Sequence, residues 1–155
     1  MLTANDIMTR DIVTVLPDTK ITEAAKLLLE NHINGIPVVE SSGKFVGIIC
    51  QSDLVVQQKR FPLPSFFTLV DSFITIPSPK QIEKEVQKIS AITVSRAMAQ
   101  KPVTVRPDTG IDTLAELMVD KGFHTIPVLD GEKLVGIVGK EDILRTLMSE
   151  VKSKE

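Results

Sequence analysis

The spacing of apolar residues predicts a long amphipathic helix in each half of the chain. In the first half, apolar residues recur at i, i+3, i+4 and i+7 from Ile21 onward, which predicts a helix with a wide buried face. Asp18 and Thr19 suit its start, and Asn34-Gly35 suits its end. The positions predicted to face inward are Ile21, Ala24, Ala25, Leu27, Leu28, Leu29 and Ile33.

Three short apolar runs in the same half are bounded by turn residues and predict β-strands. They lie at residues 12–15, 36–39 and 45–50. A Ser-Ser-Gly turn separates the last two runs, so these predict a hairpin. A short helix over 54–59, capped by Ser52 or Asp53, is predicted to close this half.

The second half of the chain repeats the first. Pro17 returns as Pro107 at an offset of 90 (107 − 17), and Asp53 returns as Asp142 at an offset of 89 (142 − 53). The repeated elements are predicted at 103–105, 111–121, 126–129, 134–138 and 142–151. Each half is therefore a β-α-β-β-α unit, and a unit this small buries too little surface to be stable alone. We expect an α/β (α+β) fold in which two units pack as a pseudo-twofold pair, with a cleft between them.

The segment between the repeats is not duplicated. It divides the chain into a first unit at 1–60, an insert at 61–91 and a second unit at 92–155. The insert is rich in Phe and Pro, and its charged stretch from Lys80 to Ile89 predicts an amphipathic helix. Its aromatic part predicts either a helix that packs on the protein's own core or a contact with a partner, since aromatic residues are enriched at interfaces. Membrane insertion is disfavoured by Asp71 and the prolines.

Composition and charge narrow the classes of function. The chain has 155 residues, of which 43% are hydrophobic and 25% charged, and its formal net charge is −2. This composition is typical of a globular protein and lacks the basic excess typical of nucleic-acid binding. Cys50 is the single cysteine, which excludes a disulfide within the chain. With no signal-peptide pattern and no apolar run near the roughly 20 residues of a membrane span, we expect a cytoplasmic protein that binds neither nucleic acid nor membrane.

Motifs of catalysis are missing from the sequence. There is no Gly-rich phosphate loop and no dinucleotide-binding fingerprint. The two histidines and one cysteine lack metal-ligand spacing, and no Ser/His/Asp set is indicated, although such sets are defined in space rather than in sequence. We therefore expect no enzyme activity, no required cofactor and no metal.

Both repeats resemble the CBS domain, named after cystathionine β-synthase, in the tandem arrangement called a Bateman module. In the first repeat the resemblance rests on Ile7-Met8, Val13-Thr14-Val15, Pro17-Asp18-Thr19, Glu23-Ala24, Gly35-Ile36-Pro37-Val38-Val39, Val46-Gly47-Ile48-Ile49 and Asp53-Leu54. In the second it rests on Ala97-Met98, Val103-Thr104-Val105, Pro107-Asp108-Thr109, Thr125-Ile126-Pro127-Val128-Leu129-Asp130, Leu134-Val135-Gly136-Ile137-Val138 and Asp142-Ile143. The resemblance implies a regulatory module with two clefts for adenosine-containing ligands such as AMP, ADP, ATP or S-adenosylmethionine.

The resemblance also implies which residues form the two clefts. In the family an acidic residue near the last helix binds the ribose hydroxyls, and Asp53 and Asp142 match that position. An ionised carboxylate suits this role because it can accept two hydrogen bonds from a cis-diol. By the family pattern, the loop before the Pro-Val strand offers backbone groups to adenine, and each cleft mixes the repeats. Asp142 is expected to face Ile12, Val13, Ile33, Asn34, Gly35, Ile36 and Pro37, and Asp53 is expected to face Val103, Phe123, His124, Thr125, Ile126 and Pro127.

Several of these residues have a second interpretation. Each aspartate could serve as a helix N-cap, and His124 and Lys140 could contact a phosphate or lie exposed at the surface. The family pattern usually has Thr or Ser three residues before the aspartate, where this chain has Cys50 and Gly139. The hydroxyl that helps to hold ribose or phosphate is thus missing from both repeats, and Ser52 is the candidate to replace it beside Asp53.

Two functions follow from these features. Asp53, Asp142 and His124 favour a stand-alone regulatory CBS pair, a homodimer, that binds an adenosine-containing ligand between its repeats and signals to an unknown partner protein in trans. Cys50 and Gly139 favour the alternative, a ligand-free interaction or dimerisation module that uses the Phe-rich insert.

Overall fold

The computed structural model describes residues 1–60, 80, 83, 91–99 and 102–153. The first half contains α1 (Ala4–Ile7), α2 (Ile21–Glu30), β1 (Gly35–Val39), β2 (Phe45–Cys50) and α3 (Gln51–Arg60). The second half contains α4 (Val94–Ala97), α5 (Ile111–Asp120), β3 (Thr125–Asp130), β4 (Lys133–Gly139) and α6 (Lys140–Ser153). The mixed helix-and-strand fold and its internal repeat are therefore confirmed.

The two hairpins form two separate antiparallel sheets with equivalent registers. In the first, Gly35 lies opposite Cys50, and in the second, Thr125 lies opposite Gly139. Each hairpin shifts register once, at the equivalent step of its first strand. The hairpins predicted from the apolar runs are confirmed, and their ends differ from the prediction by no more than a residue.

The predicted strands at 12–15 and 103–105 are wrong in extent, because each is reduced to a single parallel bridge to its hairpin. In the first repeat, the Val15 N–H donates to the carbonyl oxygen of Pro37 at 3.1 Å. The chain then leaves the hairpin in a turn in which the Thr19 hydroxyl accepts a backbone N–H at 3.1 Å. This turn prevents further pairing and also engages the hydroxyl that was expected to start the next helix.

The first long helix ends at Glu30, earlier than predicted, and the chain reverses at His32, whose φ of 53° is left-handed. Leu29 was predicted to face inward but is 72% exposed. Its neighbour Leu28 faces the core, and consecutive residues of a helix point about 100° apart, so the two cannot share that face.

Each of the two apolar cores combines residues from both repeats. Ala4 and Met8, from α1 and the residue after it, pack in the core built around the second hairpin. Val94 and Met98, from α4 and the residue after it, pack in the core built around the first hairpin. The Ala4 N–H donates to a carbonyl oxygen of the second repeat at 2.8 Å, and the Val94 N–H donates to one of the first at 2.7 Å. Each short helix therefore completes the core of the opposite repeat.

Glycines in β2 and β4 allow α1 and α4 to exchange places, so that each packs against the hairpin of the opposite repeat. A Cβ built on Gly47 would lie 2.8 Å from the sulfur of Met98 and 2.9 Å from the carbonyl oxygen of Ala99. A Cβ on Gly136 would overlap the side chain of Met8. Both strands need glycine here because another segment packs directly against their backbone.

The Phe- and Pro-rich part of the insert lies outside the described residues, as does most of the helix predicted from Lys80 to Ile89. Lys80 and Glu83 are described, and both are helical and exposed. None of the helices within the described ranges combines the length and the apolar character needed to cross a membrane.

Candidate functional site: two clefts between the repeats

Two clefts open where the hairpin ends of the two repeats meet. The larger, here called the Asp53 cleft, has a volume of about 480 Å³. Its lining comes from β2, from the residue before β1, from the start of α3, and from residues 99, 102–103 and 121–125. The lining residues are Asn34, Ile48, Cys50, Gln51, Ser52, Asp53, Ala99, Pro102, Val103, Lys121, Gly122, Phe123, His124 and Thr125.

The second, here called the Asp142 cleft, is related to the first by the pseudo-twofold repeat. Its volume is about 260 Å³. The lining residues are Thr9, Asp11, Val13, His32, Ile33, Asn34, Gly35, His124, Thr125, Ile137, Gly139, Lys140, Glu141, Asp142 and Arg145. Asn34, His124 and Thr125 line both clefts and so form a shared wall between them.

Asn34, His124 and Thr125 were each predicted for one cleft and line both. Most of the other predicted residues line a single cleft, as expected. Five do not, and four of these are buried inside the hairpins: Ile36, Pro37, Ile126 and Pro127. The remaining one, Ile12, precedes a lining residue and is half-buried without lining either cleft. The carbonyl oxygens of Pro37 and Pro127 already accept the bridge hydrogen bonds from Val15 and Val105, at 3.1 and 3.0 Å. These four residues are buried and line neither cleft, which does not agree with their predicted place in the site.

Asp53 is the third residue of α3, so it is not the N-cap that was predicted for a helix starting at residue 54. Its Oδ2 accepts the N–H of Cys50, the residue before the helix, at 2.8 Å. This bond is half of a capping box; the other half would be a Ser or Thr hydroxyl at position 50. Within the described part of the chain, no other group donates to this carboxylate.

Burial raises the pKa of the Asp53 carboxyl above its ordinary value, and the hydrogen bond from the Cys50 N–H offsets part of that rise. The carboxylate is therefore partly desolvated and has one oxygen available to a ligand. Carboxylates in such surroundings are frequent at functional sites, because the missing partner can be supplied by the ligand.

Asp142 has the equivalent position in α6 but a different set of partners. Its Oδ2 accepts the N–H of Gly139 at 2.8 Å, the counterpart of the bond at Asp53. Its Oδ1 also accepts the Thr9 hydroxyl at 3.0 Å and Arg145 Nη1 at 2.9 Å. With only 5% of its surface exposed, this carboxylate is buried and already bonded to three donors.

The sequence repeat explains why the two carboxylates differ. The counterpart of Thr9 is Ala99 (9 + 90), and the counterpart of Arg145 is Val56 (145 − 89). Neither replacement can donate a hydrogen bond, so Asp53 loses both side-chain partners that Asp142 has. Thr9 and Arg145 were not predicted from the sequence. The i, i+3 spacing on a helix could have indicated Arg145, whereas Thr9 is 133 residues from Asp142 and gives no such signal.

The two residues that replace the expected Ser or Thr, Cys50 and Gly139, also differ in their surroundings. Burial, with a smaller contribution from the charge of Asp53, raises the pKa of the Cys50 thiol to about 11, so this side chain stays protonated at neutral pH. A Cβ built on Gly139 would meet nothing closer than an Asp142 oxygen at 3.8 Å. The Asp142 cleft therefore has space for a hydroxyl-bearing side chain that its sequence lacks.

Comparison with known proteins gives the family. The CBS-domain family model matches residues 4–58 and 93–149. The chloroplastic CBS domain-containing protein CBSX1 of Arabidopsis thaliana is 29% identical over 153 residues, a match that covers 94% of this chain and 64% of that protein. This chain thus spans slightly less than two thirds of the length of that relative.

Solved structures agree with this result. CBSX2 of Arabidopsis thaliana in complex with AMP matches with a TM-score of 0.72 and 24% identity, over 96% of this chain and 98% of that one. The CBS domain pair of protein MJ0100, in complex with 5′-methylthioadenosine and S-adenosyl-L-methionine, matches with a TM-score of 0.67 and 26% identity, over 97% and 98% of the two chains. This chain belongs to the CBS-domain family and contains the domain twice, as a tandem pair.

Proposed function

We propose that this chain is a regulatory module that binds an adenosine-containing ligand in the Asp53 cleft, where Asp53 accepts hydrogen bonds from the ribose diol. One observation carries the proposal: Asp53 lies in the larger cleft with a single backbone donor and no side-chain donor among the described residues. A cis-diol supplies two adjacent hydroxyl donors, which match the acceptor capacity that this carboxylate has left.

The ligands of similar proteins support the class of ligand. AMP is bound to CBSX2, and S-adenosyl-L-methionine and 5′-methylthioadenosine are bound to the MJ0100 pair. These molecules share adenosine and differ in what is attached at its 5′ position. A site that recognises the ribose diol would accept all of them, and groups around the 5′ position would select among them.

A change in the ligand tests this proposal most directly. We expect isothermal titration calorimetry to show that the wild-type protein binds AMP about 10- to 100-fold more tightly than 2′-deoxy-AMP, because the deoxy compound leaves a charged acceptor without its partner. S-adenosylmethionine, ADP and ATP are titrated in parallel to identify the preferred ligand. Equal affinities for AMP and 2′-deoxy-AMP would contradict diol recognition, and the absence of heat from every nucleotide would contradict the proposed function as a whole.

We also propose that the ligand acts by population shift and that the response is passed to a partner in trans. A ligand between the repeats favours whichever relative orientation binds it better, and its differential affinity limits the size of the shift. No turnover or required cofactor is part of this proposal. The cytoplasmic location and the existence of a partner protein remain predictions from the sequence.

A homodimer is proposed from exposed apolar side chains on α6. Leu144, Leu147 and Met148 have the i, i+3, i+4 spacing of one helix face, and each is more than half exposed, at 58%, 56% and 66%. An apolar face of this kind is typical of a protein interface. The alternative function, a ligand-free module that uses the Phe-rich insert, concerns residues outside the described ranges and stays a prediction.

Replacing one residue of this face tests the dimer. We expect Leu147→Glu to convert the dimer into a monomer in multi-angle light scattering, because a buried, unpaired carboxylate is costly at an interface. Ser41→Glu, in the exposed turn between β1 and β2, is the control for added charge and should leave the mass unchanged. A wild-type protein that is already monomeric, or a Leu147→Glu variant that stays dimeric, would contradict this proposal.

A further inference from the structure

The side chain of Arg145 lies in the Asp142 cleft and is held there by the protein itself. Its Nη1 donates to Asp142 Oδ1 at 2.9 Å, and its Nη2 lies 3.6 Å from Glu141 Oε2. Arg145 follows these two carboxylates on α6 at the i, i+3 and i, i+4 spacings at which side chains of a helix meet. Two carboxylates thus fix a guanidinium group in the lining of the cleft, beside the aspartate predicted to bind ribose.

The number of hydrogen bonds that each aspartate can still accept decides which of them can take a diol. An ionised carboxylate offers about four lone-pair positions, and a cis-diol uses about two of them. Asp142 already accepts three hydrogen bonds, which leaves about one position (4 − 3). Asp53 accepts one from the described residues, which leaves about three (4 − 1). A ribose diol therefore fits the acceptor capacity of Asp53 and exceeds that of Asp142.

The backbone places the equivalent positions of the two repeats in the same way. Thr9 pairs with β4 through an isolated antiparallel bridge, and its counterpart Ala99 pairs with β2 through another. Val56 follows its aspartate by three residues on α3, as Arg145 does on α6. The difference between an aspartate with its acceptor positions filled and one with them open therefore lies in two side chains and not in the course of the chain.

We propose that Arg145, together with Thr9, keeps ribose out of the Asp142 cleft, so that the chain binds one adenosine-containing ligand and not two. The proposal rests on the proposed function, because it takes the Asp53 cleft as the working site. A ligand that enters the Asp142 cleft must displace the guanidinium group, and only the fraction of molecules in that open state can bind it. A charge-assisted hydrogen bond is among the stronger kind, so we expect this requirement to lower the affinity about 10-fold or more.

Transfer of the guanidinium group to the first repeat tests the inference through a loss of binding. Val56→Arg places it three residues after Asp53, and we expect AMP to bind about 10-fold or more weakly in isothermal titration calorimetry. Addition of Ala99→Thr, which supplies the hydroxyl as well, should weaken binding further. The new cation would by itself attract the phosphate of AMP, so a weaker affinity cannot come from charge repulsion. Both positions are exposed, so these variants should fold as the wild type does.

Val55→Arg is the matched control for the added charge. Val55 is exposed on the same helix, but residues two positions apart on a helix do not face each other, so this guanidinium group should not reach Asp53. An exposed charge is largely screened at physiological salt, and we expect Val55→Arg to change the AMP affinity less than about 3-fold. The difference between the two variants then reports the position of the guanidinium group and not its charge.

The opposite transfer should create a second site. Thr9→Ala combined with Arg145→Val gives the Asp142 cleft the side chains of the other repeat, and thermal unfolding checks that this variant folds. Loss of Arg145 makes the cleft more negative, so the probe is adenosine, which carries the diol and no charge. We expect calorimetry to count two adenosine sites per chain in this variant and one in the wild type, with no second site for 2′-deoxyadenosine. The Val56→Arg comparison does not depend on the stability of this variant.

Three outcomes would overturn the inference. A wild-type protein that binds two molecules of AMP or adenosine per chain has an open Asp142 cleft. Equal AMP affinities of Val56→Arg and Val55→Arg would show that a guanidinium group at this spacing does not compete with ribose. A folded Thr9→Ala/Arg145→Val variant with a single adenosine site would show that these side chains do not close the cleft. In each case binding in the Asp53 cleft persists and the proposed function stands, whereas a wild-type protein that binds neither AMP nor adenosine refutes both.

Discussion

Asp53→Asn is expected to weaken AMP binding in the Asp53 cleft about 10- to 100-fold while the protein remains as stable as the wild type or becomes slightly more stable. The amide oxygen can still accept the Cys50 N–H, so the start of α3 keeps its hydrogen bond. The amide lacks the charge and the second acceptor oxygen that a diol needs. Asp53→Asn should therefore weaken the binding of AMP without lowering the stability of the fold.

The pH dependence of stability shows in which direction Asp53→Asn should change the stability of the protein. Burial raises the pKa of Asp53 in the folded state, so its contribution to stability is fully present below the ordinary pKa of an aspartate and is lost as the pH rises through the raised value. Asparagine has no such titration. The stability of Asp53→Asn relative to the wild type should therefore increase above about pH 4.

Calorimetric titration with AMP and 2′-deoxy-AMP, together with thermal unfolding, measures both effects of Asp53→Asn. The variant should bind the two nucleotides with the same affinity, because its discrimination of the 2′-hydroxyl is gone. Asp112→Asn, which replaces another carboxylate in the first turn of a helix away from both clefts, is the matched control. AMP affinity unchanged in Asp53→Asn would remove Asp53 from the site.

The equivalent change in the other repeat, Asp142→Asn, is expected to destabilise the fold by about 2–4 kcal/mol. Asp142 is buried and accepts from Thr9, Gly139 and Arg145, and the last of these is a charged donor. Removing the charge leaves Arg145 without its buried partner and weakens the link between the Thr9 segment and α6. For a protein of this size, the loss corresponds to a fall in unfolding temperature of roughly 5–15 °C.

Chemical denaturation of Asp142→Asn and Asp53→Asn, measured side by side, tests this difference. Thr9→Ala and Arg145→Val copy the residues that the first repeat has at these positions, so each should account for part of the loss. Double-mutant cycles with Asp142→Asn would show the coupling, since residues in one network are not additive. If Asp142→Asn proves as stable as Asp53→Asn, the two carboxylates contribute equally to stability in solution. The predicted difference between the two clefts would then be wrong.

The elements of this fold could be predicted from local sequence because their signals are local. The hairpins, for example, are predicted by apolar runs separated by turn residues, and the sequence repeat indicates that the second hairpin is the counterpart of the first. The strand predicted at 12–15 failed because its pairing depends on where the hairpin lies and on how soon the chain turns away at Thr19. Neither condition can be read from the composition of the run.

For the candidate site, too, one part could be predicted from the sequence and another could not. The resemblance to CBS pairs placed Asp53 and Asp142 and the segments opposite them, and the structure brings those segments together in two clefts. The difference between the two aspartates could not be predicted from either motif alone. It depends on Thr9, which is 133 residues from Asp142 in sequence, and on a helical i, i+3 contact from Arg145.

The exchange of α1 and α4 between the cores has a consequence for synthesis on the ribosome. The first core includes Val94 and Met98, so it cannot close until the chain has been made well beyond the first repeat. Met8, in the first repeat, must wait for Val138 of the second before its own core exists. Apolar surface exposed on a nascent chain is the usual cause of misassembly and aggregation. The emerging first repeat therefore keeps an exposed apolar face until α4 has been made, and α1 has no core to pack in until the second hairpin follows.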